Sequence, residues 1–231
     1  MNAMQSNRMS QVLRTPPVVL NLLAINILVF LAFEVLPLGV ENWMLANLAL
    51  FYPESPFFMP HQLVTYMFMH GSLDHIFFNM FALWMFGRIL EQSLGSRRFL
   101  IYYLVTGVGA ALIQLGVSAI EISNIAQNVH EGLASVSTLA DRINVPTLGA
   151  SGAVFGILLA FGMLYPNATL MLLIPPIPIK AKYFVIIYGA LELFFGVSGT
   201  MDNIAHFAHL GGMLWGFLLL WFWRKKGKIY Y

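Results

Sequence analysis

Four polar side chains of this chain stand in otherwise apolar settings and are of types that do chemistry together. Ser151 sits in Gly149-Ala150-Ser151-Gly152, His209 opens His209-Leu210-Gly211-Gly212, and His75 and Asn79 stand four residues apart in an aromatic-rich run. A serine hydroxyl attacks a carbonyl well only when a base removes its proton, and imidazole has the basicity for that task near neutral pH. The oxyanion that results needs donors, each worth about 3–4 kcal/mol in a water-poor site. The i, i+4 spacing puts His75 and Asn79 on one helical face, where a ring N–H and a side-chain NH2 can point at one atom. Ser151 adds its own backbone N–H if it starts a helix, where the first amides are unpaired. Ser151 is therefore the candidate nucleophile and His209 the candidate base. His75, Asn79 and the Ser151 N–H are the candidate oxyanion donors. No Asp follows His209 in a position that suggests a third member, so the expectation is a Ser–His dyad.

Other chemistries fall away. With no cysteine there is no thiolate nucleophile, disulfide or Cys-ligated metal. No pair of Asp residues stands at matched depth for aspartyl proteolysis. His70 and His75 are five apart with no accompanying Glu, so the spacing is not that of a zinc protease. Neither a metal nor a cofactor is expected.

The elements that must position these groups follow from composition. Of 231 residues 59% are hydrophobic and only 10% charged, against about 45–50% and 25% in a soluble domain. Such a chain needs a bilayer as solvent, and the net charge of +2 is too small to suggest a nucleic-acid partner. A span takes roughly 20 apolar residues, and candidates lie at 18–36, about 72–92, 99–118, 149–165, 183–198 and 204–223. The expectation is an all-α bundle of six transmembrane helices over 18–223, preceded by a cytoplasmic segment 1–17 and followed by a basic cytoplasmic tail 224–231. An apolar run at 168–174, beside Pro175, Pro176 and Pro178, invites miscounting as part of a seventh span.

Lys and Arg concentrate at the cytoplasmic ends of spans. Arg8 and Arg14 precede span 1, Arg88, Arg97 and Arg98 surround the turn after span 2, Lys180 and Lys182 precede span 5, and Arg224, Lys225, Lys226 and Lys228 follow span 6. Only Arg142 falls on the outer side. Both termini are then cytoplasmic, and two long segments, 37–70 and 119–148, lie outside. The first is aromatic yet broken by Pro53 and Pro56, so it rests in the interface rather than spanning; the second is polar and reads as a loop. Spans 2, 4 and 6 run inward, which brings His75, Asn79, Ser151, His206 and His209 to one depth below the outer surface. Gly212 and Gly216 form a ridge on span 6, and Gly152 and Gly156 one on span 4; facing ridges would set His209 beside Ser151.

Each group also has a blander reading. Ser151 alone would be a small packing residue, His209 an internal hydrogen bond, and the His75–Asn79 pair an interhelical clamp. Asp74 reads as a helix-start residue, and His206 as structural or facing the outer cap. Glu192 in span 5 reads as a lone acid without a partner, packed or facing the interface, rather than as a proton carrier. Met and Phe are filler for core and lipid face.

Together the residues resemble the rhomboid family of intramembrane serine proteases over nearly the whole chain. The resemblance rests on His70-Gly71-Ser72-Leu73-Asp74-His75-Ile76-Phe77-Phe78-Asn79, on Gly149-Ala150-Ser151-Gly152 and on Ala208-His209-Leu210-Gly211-Gly212, in that order. It implies Ser151 as nucleophile, His209 as base and then acid, and His75 with Asn79 as oxyanion donors. His70 and Phe155 would line the site, with His206 a further candidate lining residue apart from the resemblance, and Glu91-Gln92-Ser93-Leu94-Gly95 would be a structural element at the inner end. It also implies that transmembrane proteins in the bilayer are the substrates, cleaved near the outer boundary after local unwinding. Span 5 and an outer cap at 198–203, with Gly196 and Gly199, would admit them. Two departures are visible: His61-Gln62 stand where the family often has Trp-Arg, which questions the anchoring of the first outer segment, and Phe155 replaces a frequent tyrosine. A bare core of this kind points to a bacterial inner membrane. The rivals are an inactive rhomboid-like binding or trafficking protein, expected to lack the serine or the histidine, and a small transporter, expected to show repeated halves.

Overall fold

The structure, a computed structural model, describes residues 15–171, 176–198 and 203–229. Arg8, Arg14, Pro175, Gly199 and most of the expected outer cap lie outside the described residues.

The chain is mostly helical. Pro16 and Pro17, whose missing N–H groups cost nothing at a helix start, open α1 (Pro17–Val35). The first outer segment folds into α2 (Leu38–Leu48), an irregular stretch, and a short α3 (Gln62–Thr65) continued by a 3-10 turn at Tyr66–Phe68. Ser72 then caps α4 (Leu73–Ala82) by accepting from the His75 amide, a five-residue π-helical stretch follows at Leu83–Gly87, and α5 (Arg88–Leu94) completes one rod. Next come α6 (Ser96–His130), α7 (Val136–Ile143) and α8 (Ser151–Leu164). Strands β1 (Thr169–Met171) and β2 (Pro178–Lys180) pair antiparallel, Leu170 opposite Ile179, ahead of α9 (Ala181–Ser198) and α10 (Asn203–Lys225).

A helical run overlaps each of the six segments read as spans. Among the described residues, α1, α6 and α9 are both long and apolar enough to cross a membrane. Their outward faces suit lipid rather than water: Leu28 is 66% exposed, Ile186 65% and Val197 73%. Helix α8 has only 14 residues, about 21 Å at 1.5 Å per residue, and is buried on most sides among α6, α9 and α10.

Two expectations need correction. The polar segment 119–148 is not a loop: residues 119–130 prolong α6 to His130, and Val136–Ile143 forms α7. Arg142, the one basic residue out of pattern, sits on α7 and donates to Glu121 of α6 at 2.7 Å. The apolar run at 168–174 contributes the edge strand β1 through Met171 rather than a span, its last residues lying outside the described part.

Two buried polar residues anchor the frame. Glu91 accepts from the Val18 and Val19 amides at 3.0 and 2.8 Å and from Ser96 Oγ at 2.6 Å, so it caps α1 and ties it to the turn into α6. Gln62, fully buried, accepts from the amides of Phe51 and Met59 and donates to the carbonyls of Ala46 and Phe57. The first outer segment is thus fastened without the Trp-Arg pair, by an amide that satisfies four backbone groups at once.

Candidate active site

Ser151 is the first residue of α8, and no side chain caps that end, so its backbone N–H is among the unpaired amides of a helix start. The approach to it is held from two sides. Leu50 and Thr147 exchange backbone hydrogen bonds at 2.8 Å, and the Gly149 amide donates to Tyr66 O at 2.9 Å. Gly149 has φ +129°, and a Cβ there would fall 2.7 Å from the His75 ring and 3.7 Å from Ser151 Oγ. Only glycine fits, and its bare Cα sits between the imidazole of α4 and the serine of α8.

His75 and Asn79 share a face of α4 as their spacing requires. The Asn79 Nδ2 donates to His75 O at 3.0 Å, which leaves its second N–H free to point elsewhere. His70, completely buried, packs edge-on against His75 with ring centroids 4.9 Å apart. Burial, reinforced by the His75 imidazole, pushes the His70 pKa down to about 4. It is a neutral wall of the site at physiological pH.

Helix α10 brings in His209. Its ring lies flat on Phe155, centroids 4.1 Å apart and planes 7° from parallel. Phe155 is one turn below Ser151 on α8, so His209 packs on the turn of α8 that follows the serine; among the described residues no hydrogen bond joins Ser151 and His209. The helices touch directly at this level, because a Cβ built on Gly212 would land on the carbonyl of Gly152. The expected ridge-to-ridge packing holds only for that first pair. Gly156 instead faces Thr106, and Gly216 faces Tyr102 and Thr106, so the lower steps of both ridges pack on α6. The Tyr102 hydroxyl donates to Gly156 O at 2.8 Å and fixes that three-helix contact.

The acid read as unpartnered is in fact the most connected polar group here. Glu192 Oε2 lies 2.9 Å from His209 Nδ1 and 2.6 Å from His206 Nδ1, with all three side chains only 13–15% exposed. Sequence reasoning missed it because it looked for an acid after His209 and on the same element. The available signal was local: Gly189, Glu192 and Gly196 lie three and four residues apart on one face of α9, and both glycines meet α10, at Met213 and Phe207. The three ligating groups of Glu192, His206 and His209 lie within 4.8 Å of one another, a spacing that a cation could also use.

A model of the Rhomboid domain matches residues 58–226, nearly three quarters of the chain and every residue of the site. The chain belongs to the rhomboid family. It is 32% identical to rhomboid protease AarA of Providencia stuartii over 66% of the chain and 52% of that protein. It is 30% identical to putative rhomboid protease YdcA of Bacillus subtilis, over 68% and 64%. The mitochondrial rhomboid protein 1 of Saccharomyces cerevisiae is 29% identical over 68% of the chain and 40% of its own length. The chain spans about half the length of the curated relatives it matches. This rhomboid is a multi-pass integral membrane protein. The expectation of a bacterial inner membrane finds no support, because mitochondrial and chloroplastic rhomboids are matched as well as bacterial ones.

Proposed function

We propose that this rhomboid is an intramembrane serine endopeptidase, six-spanning with both termini cytoplasmic, that cleaves transmembrane proteins near the outer membrane boundary. The observation that carries the reading is the His209 ring stacked on Phe155 one turn below Ser151. Ser151 Oγ attacks the scissile carbonyl carbon while its proton passes to His209 Nε2. The oxyanion is met by the Ser151 N–H, the free Asn79 N–H and the His75 ring. Collapse breaks the C–N bond, and His209 returns the proton to the departing amine. Water, deprotonated by the same imidazole, then hydrolyses the acyl-enzyme. A helical substrate must first unwind, since its carbonyls are tied up in i to i−4 bonds. Non-helical backbone at that depth is tolerated only beside a wet cavity.

The test is incubation of the purified protein in detergent with a serine-directed phosphonate and, separately, with single-span substrates whose new ends are sequenced. Labelling at Ser151 and cleavage, both lost in Ser151→Ala and His209→Ala, are expected. A folded wild type that neither labels nor cleaves would be the inactive binding relative instead.

A further inference from the structure

We propose that Glu192 is a positioning residue for this chemistry, a carboxylate from α9 that orients the base on α10 and fixes which of its nitrogens carries the proton. The inference rests on the protease reading above and adds a third side chain to the expected dyad.

The geometry is specific. An ionised carboxylate only accepts hydrogen bonds, so at 2.9 Å it takes the N–H from His209 Nδ1. That leaves Nε2 with its lone pair, the form a general base needs. The ring is then held on three sides: by Glu192 at Nδ1, by Phe155 against its face, and by the α10 backbone. The imidazolium formed during attack meets a negative charge in a poorly solvated site, where such an interaction is less screened than in water. His206 donates to the same Oε2 at 2.6 Å and so holds the carboxylate in place. Its expected structural role therefore has a definite object. Helix placement explains why the acid reaches: Gly189 and Gly196 bring α9 against α10 one turn to either side, and Glu192 projects from the face between them. Few other residues secure α9, whose buried set is Ala181, Val185 and Gly196. The carboxylate thus also couples the seating of α9 to the state of the base.

The experiment measures cleavage of one single-span substrate by wild type and by Glu192→Ala, Glu192→Gln, His206→Ala and Ser151→Ala, with unfolding temperatures alongside. The corresponding Asp→Asn change in trypsin-like enzymes costs about 10⁴-fold in kcat. A looser membrane site should show at least a tenfold kcat loss in Glu192→Ala with KM nearly unchanged. Glu192→Gln, whose NH2 can donate to Nδ1 and so favour the Nε2–H tautomer, should lose at least as much, and His206→Ala should lose less than Glu192→Ala. ¹⁵N-histidine spectra should show His209 as the Nδ1–H tautomer in wild type and a tautomer mixture in Glu192→Ala. Wild-type kcat and an unchanged tautomer in folded Glu192→Ala, with Ser151→Ala inactive, would overturn this inference and leave the protease reading intact. No Ser151-dependent cleavage by wild type would sink the protease reading itself. Wild-type activity lost in EDTA and restored by zinc would make the three groups a metal site and overturn the positioning role.

Discussion

Asn79 and Phe155 separate the chemistry from its support. One Asn79 N–H is spent on the His75 carbonyl, and the other is free for the proposed role as one of three oxyanion donors. Asn79→Ala should lower kcat about 100-fold without abolishing cleavage, since removing a single donor has that scale elsewhere; turnover equal to wild type would remove Asn79 from the mechanism. Phe155 contributes a flat surface to His209 rather than a hydroxyl, so Phe155→Tyr should cleave at a rate close to wild type. Phe155→Ala frees the ring and should lose roughly tenfold or more, in line with the sensitivity of catalysis to small misplacements. His70 carries a pH signature. Its folded pKa of about 4 lies below the ordinary histidine value of 6.5, so the unfolded chain binds the proton first. Its contribution to stability is complete above about 6.5 and fades as the pH falls towards 4. Unfolding temperatures over that range should decline less in His70→Phe than in wild type.

At the scale of elements, the contact between α8 and α10 sets where His209 stands. Gly212→Ala would drive a methyl into the Gly152 carbonyl, and backbone cannot yield as a side chain does. It should cost about 3 kcal/mol, the upper end for overpacking, and move His209 off Phe155, so both thermal stability and kcat should drop. Gly116 on α6 has nothing within 4 Å of a built Cβ. Gly116→Ala should therefore be neutral or stabilising by up to about 1 kcal/mol, from helix propensity alone. The outer segment offers a second check. Gln62→Ala removes the partner of four backbone groups, the Phe51 amide fully buried and the others partly so, and a single buried unsatisfied group costs about 1–3 kcal/mol. A clear fall in the unfolding temperature, together with proteolytic nicking between α2 and α3, is expected.

For the whole molecule, the asymmetry of charge is what supports the proposed orientation. The basic residues after α10 and at the turn between α5 and α6 share one end of the bundle, while the long α6 carries its acidic Glu121 and Glu131 towards the other. Because the chain has no cysteine, single-cysteine variants report topology without background. Lys228→Cys should react with an impermeant maleimide only after cells are opened, and Glu131→Cys should react on intact cells. The reverse pattern would invert the proposed orientation and place the site at the opposite face of its membrane.

Hydropathy and charge bias by themselves determined that this is a membrane-embedded helical protein, and three short motifs determined which residues are chemical candidates. Both signals are local: an apolar run needs no partner to be recognised, and His75 with Asn79 share a face through spacing alone. What spacing could not supply was contact between elements. That Gly156 and Gly216 turn towards α6, that 119–148 is largely helical, and that Gln62 replaces an expected anchor all depend on which surfaces meet. Glu192 makes the point most sharply, because an acid seventeen residues before His209 becomes its partner only when α9 folds back along α10. Tertiary structure decided that pairing, since hydrogen bonds act over about 3 Å and the chain sets no such distance until its helices are packed.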